Sequence, residues 1–533
     1  MNSACLALAV ALPIVGGTLM PLLRLPDKKR NLLIELLVLA TSALAFACVL
    51  RRPETNFVLF HLTGNMTFSL RLDGLGCVFT CLIAALWPLA TLYAFEYMRY
   101  EERTTSFFCC YTMTYGVTLG VAMSEDLVTM YLFYELLTLV SVYLVMHPMT
   151  RKALRASRTY LYYSIGGAAF AFIGLVFLIL YGTTTNFVLG GVLDMEKVGG
   201  NVQLILLVYV LAFLGFGVKA AIFPFSGWLP KASVAPTPVT ALLHAVAVVK
   251  SGAFALMRLT YYSFGTDFLR GTWAHFAVMS IAMISVVYGS TMAVRETHFK
   301  RRLAFSTISN LSYVAMAVTM MSPAGLFAAM CHMVVHAVMK IGAFFCSGAV
   351  LHQSGVEYID ELNGLGRRMP FTFGTFVIFG CSLAGIPLFG GFISKWCIAM
   401  AAVETAREIP YAYAVVGVLL YAALMTAIYV FTVVVRAFFP DRGTVTPHPE
   451  VTDPNWEMCL PLALFAVATM VLGLHSGPLL EVLQSIASGG GSEPQGQVRG
   501  EGTGFDAVSD TWQRDGPGRE YICPDSLPLS VRT

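Results

Sequence analysis

Charged residues are scarce in this sequence. Asp, Glu, Lys and Arg together make up 12% of the 533 residues, whereas soluble proteins average about 25%. Hydrophobic residues make up 57% of the chain. A soluble protein of this length needs far more charged surface, so the composition indicates a polytopic membrane protein. The net charge is only +3, which excludes a basic field for binding nucleic acid.

The sequence also lacks the motifs that hold redox and nucleotide cofactors. Its 12 cysteines include no CxxC pair and lie mostly in apolar runs, whereas iron-sulfur and zinc sites need clustered thiolates. No Gly-rich phosphate loop stands between a strand and a helix. We therefore expect this chain to bind no cofactor and no metal, and we expect any redox centres to lie on partner subunits.

About fourteen apolar runs are long enough to cross a membrane as helices, since a bilayer core requires about 20 apolar residues per helix. In chain order these runs cover approximately residues 4–23, 32–50, 74–95, 107–123, 127–147, 157–181, 203–225, 235–259, 272–294, 303–322, 324–350, 371–402, 410–439 and 458–475. The first run has no positively charged segment before it, which favours a membrane helix over a cleaved signal peptide. Lys and Arg are concentrated in alternate loops, and the positive-inside rule makes that side cytoplasmic. Arg258 is counted with the loops of the opposite, less basic side. The sequence thus predicts a multi-pass protein of the cell (inner) membrane with both termini outside.

Five ionisable residues lie inside these apolar runs, where membrane proteins rarely place charge. They are Glu135, Lys219, Lys250, Lys340 and Lys395. On insertion scales each such charge costs roughly 2.5 to 3.5 kcal/mol. A helix-helix hydrogen bond or a snorkelling side chain explains one such residue, but five favour an ion or proton pathway. Lysine suits proton transfer because its proton affinity responds strongly to burial and to a nearby carboxylate.

Three histidines extend this set. His332 and His336 precede Lys340 at intervals of four residues, which places the three on one helical face over about 12 Å. His244 lies six residues before Lys250 in another run. Two histidines four residues apart can bind a metal, and buried histidines can simply be satisfied in a core, but a proton relay fits the adjoining lysines better.

Two of the runs contain helix-breaking residues close to a lysine. These residues are Pro224, Pro387, Gly390 and Gly391. Proline and glycine are tolerated deep in membrane helices where the helix lines a protein-enclosed or wet cavity. Paired breaks in two halves of a chain also point to inverted repeats, although simple packing kinks are an alternative.

Several stretches together resemble one known family. They are FYELLTLVSVYLV, GFGVKAAIFPFSGWLPKASVAPTPVTALLHAVAVVKSG, HFKRRLAFSTISNLSYVAMA, HMVVHAVMKIGAFFCSG and LAGIPLFGGFISKW. They resemble the antiporter-like subunits shared by respiratory complex I (chain 5/4/2 type), Mrp sodium/proton antiporters and membrane-bound hydrogenases. The resemblance runs from about residue 70 to about residue 440. It implies an all-α membrane protein of about fourteen transmembrane helices, with two inverted five-helix repeats and breaks in helices 7 and 12.

On this pattern the chain divides into five parts. Residues 1–106 hold three N-terminal transmembrane helices, 107–260 the first inverted repeat, 261–440 the second, 441–484 a C-terminal helix, and 485–533 a polar tail that we expect to be disordered.

The resemblance also implies roles for the ionisable residues. Glu135 resembles the family's helix-5 glutamate, which pairs with the helix-7 lysine, here Lys219. His244 and Lys250 resemble the helix-8 connection. The central relay corresponds to His332, His336 and Lys340. Lys395 resembles the helix-12 lysine that exchanges protons with the far side of the membrane.

These features predict a proton-translocating subunit of a redox-driven complex related to complex I or to membrane-bound hydrogenase. Such a subunit would carry no redox centre and would be inactive alone. The alternative is a subunit of an Mrp-type sodium/proton antiporter, while a structural scaffold conflicts with the five buried charges. The complex I chain 5 type has a long C-terminal lateral helix where this chain has a polar tail, so a hydrogenase-like or Mrp-like assembly is equally favoured. Expected partners are other membrane subunits, lipid, protons and, as a further candidate, sodium.

Overall fold

The computed structural model of the protein describes residues 3–63, 66–440 and 450–489. Its helices are α1 Ala4–Leu19, α2 Asp27–Arg51, α3 Gly74–Tyr97, α4 Thr104–Ala122, α5 Leu127–Met146, α6 Arg151–Tyr181, α7 Met195–Val198, α8 Val202–Lys219, α9 Trp228–Ala232, α10 Thr237–Ala245, α11 Val248–Met257, α12 Thr266–Leu269, α13 Trp273–Arg295, α14 Phe299–Val318, α15 Pro323–Ser354, α16 Leu365–Arg368, α17 Pro370–Ala384, α18 Gly390–Ala406, α19 Tyr413–Phe438, α20 Trp456–Leu474 and α21 Gly477–Ala487.

A pair of short strands adds to the helices. Strand β1, Phe57–Thr63, pairs antiparallel with β2, Met66–Leu70, between α2 and α3. The all-α prediction did not include this pair, because its apolar and polar residues alternate over too few positions to stand out from the neighbouring apolar runs.

Eleven helical segments in the described part of the chain are long and apolar enough to cross a membrane. The helices α4, α14, α17 and α18 fall outside that set. Most of the chain is therefore built as membrane-spanning helices, as the composition predicted. The finer count of fourteen is taken up as a proposal below.

Side-chain caps fix where two important helices begin. Asp126 Oδ1 accepts the backbone N–H of Thr129 at 2.7 Å at the start of α5. Ser322 Oγ accepts the N–H of Gly325 at 3.1 Å at the start of α15, and Pro323 takes the first position, where it needs no N–H. The first residues of α5, which holds Glu135, and of α15, which holds His332 and His336, are therefore fixed by these caps.

Burial increases toward the middle of the bundle. The most apolar stretch of Thr237–Phe264 is 100% buried and that of α15 is 89% buried, compared with 33% for α1 and α2. Helix α15 packs against α3, α10, α14, α17, α18 and α20. The helices that hold most of the predicted pathway residues are thus surrounded by protein rather than by lipid.

Three predicted spans are not continuous helices in the structure. The seventh, predicted over 203–225, ends as α8 at Lys219, and the chain turns through Ala221, whose φ is 56°. The twelfth, predicted over 371–402, is divided into α17 and α18 by residues 385–389. The eighth, predicted over 235–259, is divided into α10 and α11 at Val246 and Ala247, where no proline or glycine signals a break.

The C-terminal boundary of the predicted parts also needs a correction. Residues 485–487 were assigned to the polar tail, yet they end α21. These residues are helical because they pack against the bundle: the side chain of Ile486 is 6% exposed and lies against Gly74 at the start of α3. The remainder of that predicted tail from residue 490 lies outside the described residues, as do residues 441–449.

Candidate functional site

Glu135 and Lys219 meet between α5 and the end of α8. Lys219 Nζ lies 3.4 Å from Glu135 Oε1 and donates to the carbonyl oxygen of Tyr134. The ammonium also lies over the Tyr134 ring, 3.3 Å from its centroid. The side chain of Lys219 is 1% exposed and that of Glu135 is 27% exposed. A buried cation is therefore joined to a carboxylate that reaches the surface of the chain.

The turn after Lys219 keeps its backbone groups paired. Trp228 Nε1 donates to the carbonyl of Val218 at 2.8 Å, and the N–H of Phe223 donates to Ser285 Oγ at 2.8 Å. Pro224 lies within this turn and has no N–H to satisfy. These contacts make an interrupted helix tolerable inside the protein.

Lys250 and the two central histidines form a buried line across α11, α15 and α18. Lys250 Nζ lies 2.5 Å from His336 Nδ1. The rings of His336 and His332 stack with centroids 5.8 Å apart, and His332 Nδ1 lies 2.9 Å from Ser394 Oγ. An amine and an imidazole share a hydrogen bond only when one of the two nitrogens lacks a proton. The Lys250–His336 contact is therefore suited to pass a proton between its two nitrogens.

Lys340 lies one helical turn beyond His336 on α15. Its Nζ donates to Ser306 Oγ at 2.8 Å, and Ser306 Oγ lies 2.5 Å from the hydroxyl of Tyr429. Within the described residues, no carboxylate forms an ion pair with Lys250, Lys340 or Lys395. These three amines are thus held by neutral groups, which favours exchange of their protons over fixed charge.

His244 lies at the end of α10 with both ring nitrogens unpaired among the described residues. The residue is fully buried, and its ring contacts that of Phe344, with centroids 4.7 Å apart. Buried polar groups are nearly always hydrogen-bonded in folded proteins. The structure therefore does not support the interpretation of His244 as a satisfied core histidine.

Lys395 lies on α18 and reaches back to the end of α17. Its Nζ donates to the carbonyls of Leu383 at 2.6 Å and Ala384 at 3.2 Å. The last carbonyls of a helix lack partners within the helix and attract cations. Lys219 is the last residue of α8, whereas Lys395 follows the break in α18 and only its amine reaches the end of α17. Each lysine therefore lies beside a helix interruption.

The glycines at the second interruption allow a close approach of α18 to α17. A Cβ atom on Gly391 would lie 1.8 Å from the carbonyl oxygen of Ser382. The N–H of Gly391 instead donates to Ser382 Oγ at 3.1 Å. Pro387 lies in the connection and Gly390 begins α18. Only glycine fits at position 391, and this close approach accounts for one of the four helix-breaking residues that the sequence analysis singled out.

Hydrogen bonds do not join all of the predicted pathway residues within the described part of the chain. Gly252 on α11 packs against the backbone of Lys219 and Ala220, which brings α11 against the turn after α8. At the other end, the ring of Tyr313 lies 5.3 Å from that of His332 and 5.5 Å from Lys395 Nζ. Among the described residues no hydrogen bond joins Lys219 to Lys250.

Buried hydroxyl groups lie beside the predicted lysines and histidines, and the sequence analysis did not single them out. Ser306, Tyr313, Ser394 and Tyr429 are buried beside the predicted lysines and histidines. Neutral hydroxyls are common in membrane helices, so nothing in one sequence distinguishes these four from others.

Arg258 was placed in a loop by its position after an apolar run, and this was wrong. It lies in the buried segment Thr237–Phe264, with a side chain that is 1% exposed. Its Nη1 lies 2.5 Å from Asp73 Oδ2 and its Nη2 lies 2.6 Å from Asp73 Oδ1. This bidentate pair ties the start of α3 to the end of the interrupted eighth span.

Comparisons with known proteins find related membrane proteins. The transmembrane region described as NADH:quinone oxidoreductase/Mrp antiporter matches residues 124–422, which include all eight predicted pathway residues. A protein of Rhizobium meliloti (strain 1021), the A/B component of a probable K(+)/H(+) antiporter, is 32% identical over 412 residues, or 77% of this chain. The match covers only 40% of that relative's length.

A second relative matches over nearly its whole length. The NADH-quinone oxidoreductase subunit N of Desulforudis audaxviator (strain MP104C) is 29% identical over 460 residues, which are 84% of this chain and 90% of the relative. The solved structure of the membrane-bound sulfane sulfur reductase, an archaeal respiratory membrane complex, contains a chain that superposes with a TM-score of 0.78 at 23% identity. That superposition covers 91% of this chain and 97% of the other, and it shows a shared fold.

Proposed function

This chain belongs to the NADH:quinone oxidoreductase/Mrp antiporter family of multi-pass membrane proteins, and from that premise we propose that it is a proton-translocating, antiporter-like subunit of a multi-subunit complex. The observation that carries the proposal is the buried series of ionisable side chains. It comprises Glu135, Lys219, His244, Lys250, His332, His336, Lys340 and Lys395. A stable fold has no need of seven buried amines and imidazoles with a single carboxylate among them.

The Glu135–Lys219 pair acts as the switch in this proposal. While the two side chains are in contact, the carboxylate stabilises the buried ammonium, and Lys219 keeps its proton. When the pair separates, the ammonium loses its counter-charge inside the protein, and its proton passes to an acceptor. Glu135 moves more easily than Lys219, because its side chain reaches the surface, where a neighbouring subunit can displace it.

The proton then moves along the central residues. Lys250 and His336 exchange it across their shared hydrogen bond, and the stacked His332 carries it toward α18. Lys395 releases it to the far side from the end of α17. Lys340, with Ser306 and Tyr429, adds hydroxyl groups that pass a proton by reorienting.

The finer topology belongs to the same proposal. Fourteen transmembrane helices would include α4, α14 and the divided helix formed by α17 and α18, and residues 107–260 and 261–440 would be inverted repeats. The presence of one lysine beside each of two interrupted helices, Lys219 and Lys395, supports this symmetry. In this proposal the protein lies in the cell membrane with both termini outside, which the distribution of Lys and Arg between the loops supports.

A redox-driven complex is the assembly we favour, with redox centres on partner subunits and none on this chain. The supporting observation is the match over 90% of the length of an NADH-quinone oxidoreductase subunit. The second candidate is a subunit of an Mrp-type cation/proton antiporter, which the 32% identity to a component of a K(+)/H(+) antiporter favours.

Vesicles that contain the assembled complex distinguish the two assemblies. Acidification of the lumen on adding an electron donor, without an added sodium or potassium gradient, supports the redox-driven complex. Acidification driven by either cation gradient alone supports the antiporter. The control is vesicles from cells that lack this chain, and no acidification under either condition would contradict both assemblies.

A further inference from the structure

A basic cavity lies where α6, α9 and α14 meet. Its volume is about 810 Å³, and six basic residues line it. They are Lys152, Arg155, Arg158, Lys231, Lys300 and Arg301. One carboxylate, that of Glu357, also lines the cavity, and it lies 3.6 Å from His298 Nε2. The cavity therefore has a large excess of positive charge.

Four of these cations have no partner within the described residues. Lys152, Arg155, Arg158 and Lys231 form no ion pair there, and all four side chains are exposed. Arg301, in contrast, pairs with Glu296 at 3.0 Å. Unpaired like charges that converge on one cavity repel each other, and a bound anion relieves that repulsion.

An apolar groove adjoins the basic cavity along α6. It has a volume of about 270 Å³, and Gly166, Gly167 and Phe170 line it together with side chains from the end of α8 and the turn that follows. Tyr162 lines both the groove and the basic cavity. A Cβ atom on Gly166 would meet no atom within 4 Å, so the glycine leaves this groove open.

The two cavities follow one face of α6. Lys152, Arg155, Tyr162, Gly166 and Phe170 are separated by steps of three, seven, four and four residues, which keeps them on the same side of a helix. At 1.5 Å per residue this face extends over about 27 Å. Along this face, within a candidate membrane span, basic side chains are followed by Tyr162 and then by apolar residues. A phospholipid has the same order of chemistry, from its charged headgroup to its acyl chains.

We propose that this site binds an anionic phospholipid, with the phosphate headgroup in the basic cavity and one acyl chain in the groove beside Gly166. Charge complementarity selects the anionic headgroup, and the continuous apolar groove selects a lipid over a free anion. The site is separate from the buried proton series and does not depend on which assembly the chain joins.

Native mass spectrometry of the full-length chain in detergent tests the site, with phosphatidylglycerol and phosphatidylcholine of identical acyl chains as probes. We expect tighter binding of phosphatidylglycerol. The double substitution Arg155→Gln and Arg158→Gln should weaken it at least about tenfold. The matched control is Arg367→Gln with Arg368→Gln, which changes two exposed arginines of α16 and should leave binding unchanged.

Two further measurements separate a lipid from a free anion. The substitution Gly166→Phe should fill the groove and weaken phosphatidylglycerol binding with the basic residues intact, and millimolar inorganic phosphate should not displace the lipid. Thermal unfolding of each variant confirms that it is folded. Equal binding of the two lipids, equal loss in the control variant, or full binding by the Gly166→Phe variant would each overturn the proposal.

Discussion

Lys395 has two roles in this account, because it completes the end of α17 and also releases protons. Replacement by arginine separates them. Arginine keeps the positive charge and the hydrogen bonds to the terminal carbonyls, but it does not give up its proton in proteins. We expect Lys395→Arg to retain the thermal stability of the assembled complex and to lose proton translocation. Retained translocation in a folded Lys395→Arg complex would show that Lys395 only terminates a helix.

Replacing His244 should also lower proton translocation without lowering stability. Since neither ring nitrogen has a partner among the described residues, His244→Leu removes no hydrogen bond and should leave the unfolding temperature unchanged or raise it. Proton translocation should fall.

The control for this substitution is His275→Leu. His275 Nε2 lies 2.6 Å from the carbonyl oxygen of Thr319, and its Nδ1 accepts from the N–H of Gly271 at 3.2 Å. His275→Leu removes both hydrogen bonds and should therefore destabilise the protein by about 1–3 kcal/mol. Equal destabilisation by the two substitutions would mean that His244 is a structural residue.

The junction of α17 and α18 depends on the absence of a side chain at position 391. In Gly391→Ala the new Cβ would meet the carbonyl oxygen of Ser382 at 1.8 Å, so α18 must move and Lys395 must leave its carbonyl partners. We expect a loss of roughly 1–3 kcal/mol of stability together with lower activity. Gly374→Ala on α17 is the matched control, because its Cβ would meet nothing within 4 Å. Thermal unfolding of both variants checks this prediction.

The start of α3 is held by an ion pair whose contribution depends on pH. Asp73 Oδ1 accepts the N–H of Gly76 at 2.8 Å, and Arg258 pairs with both carboxylate oxygens. Burial disfavours the charged carboxylate, but Arg258 and the cap outweigh it and hold the pKa of Asp73 below its ordinary value. This contribution to stability is therefore present above about pH 4, the pKa of an unfolded aspartate, and is lost as the pH falls through the lower folded pKa.

The substitution Asp73→Asn should leave the Arg258 charge buried and unpaired, at a cost of about 3–5 kcal/mol near pH 7. The loss relative to the parent protein should shrink in acid. Asp27→Asn is the control, since Asp27 pairs with Arg30 but its side chain is 80% exposed, and such pairs contribute about 1 kcal/mol or less. Unfolding temperatures measured from pH 7 down to acid values test both, and a loss in Asp73→Asn that does not vary with pH would contradict the account.

Hydropathy predicted helices well where a helix is bounded by polar loops. The fifth span, predicted over 127–147, corresponds to α5 at Leu127–Met146. The polar residues just before it separate this apolar run from the preceding one, and Asp126 caps the start of the helix. The interruption between α10 and α11 was not predictable in this way. It occurs in a continuous apolar run, and packing around Val246 and Ala247 rather than local sequence must produce it.

The candidate pathway residues were singled out because charge is so rare inside the membrane that each instance stands out. Their hydrogen-bond partners were not found, because Ser306 and Tyr429 have nothing unusual in their local sequence. Arg258 was misplaced for a related reason. It ends an apolar run, as loop residues do, while its partner Asp73 is distant in the chain and comes near only in the folded protein.

The whole chain is best understood as one part of an assembly. Its most buried helices hold amines and imidazoles, whereas Glu135, the carboxylate proposed to regulate them, reaches the surface. A subunit that packs against Glu135 could therefore couple its own movement to the proton affinity of Lys219. This coupling explains why we expect the isolated chain to be inactive and the complete complex to be required for transport.

The most direct test is the rate of proton translocation by the complete complex in proteoliposomes. Lys219→Ala and Glu135→Gln should each lower that rate by at least about tenfold. Lys197→Ala should leave it unchanged, because Lys197 is 52% exposed and its partners, Asp194 and the carbonyl of Gly182, lie outside the buried series. If folded, assembled complexes with Lys219→Ala or Glu135→Gln translocate protons at the parent rate, the buried pair is not the switch and the central claim is wrong.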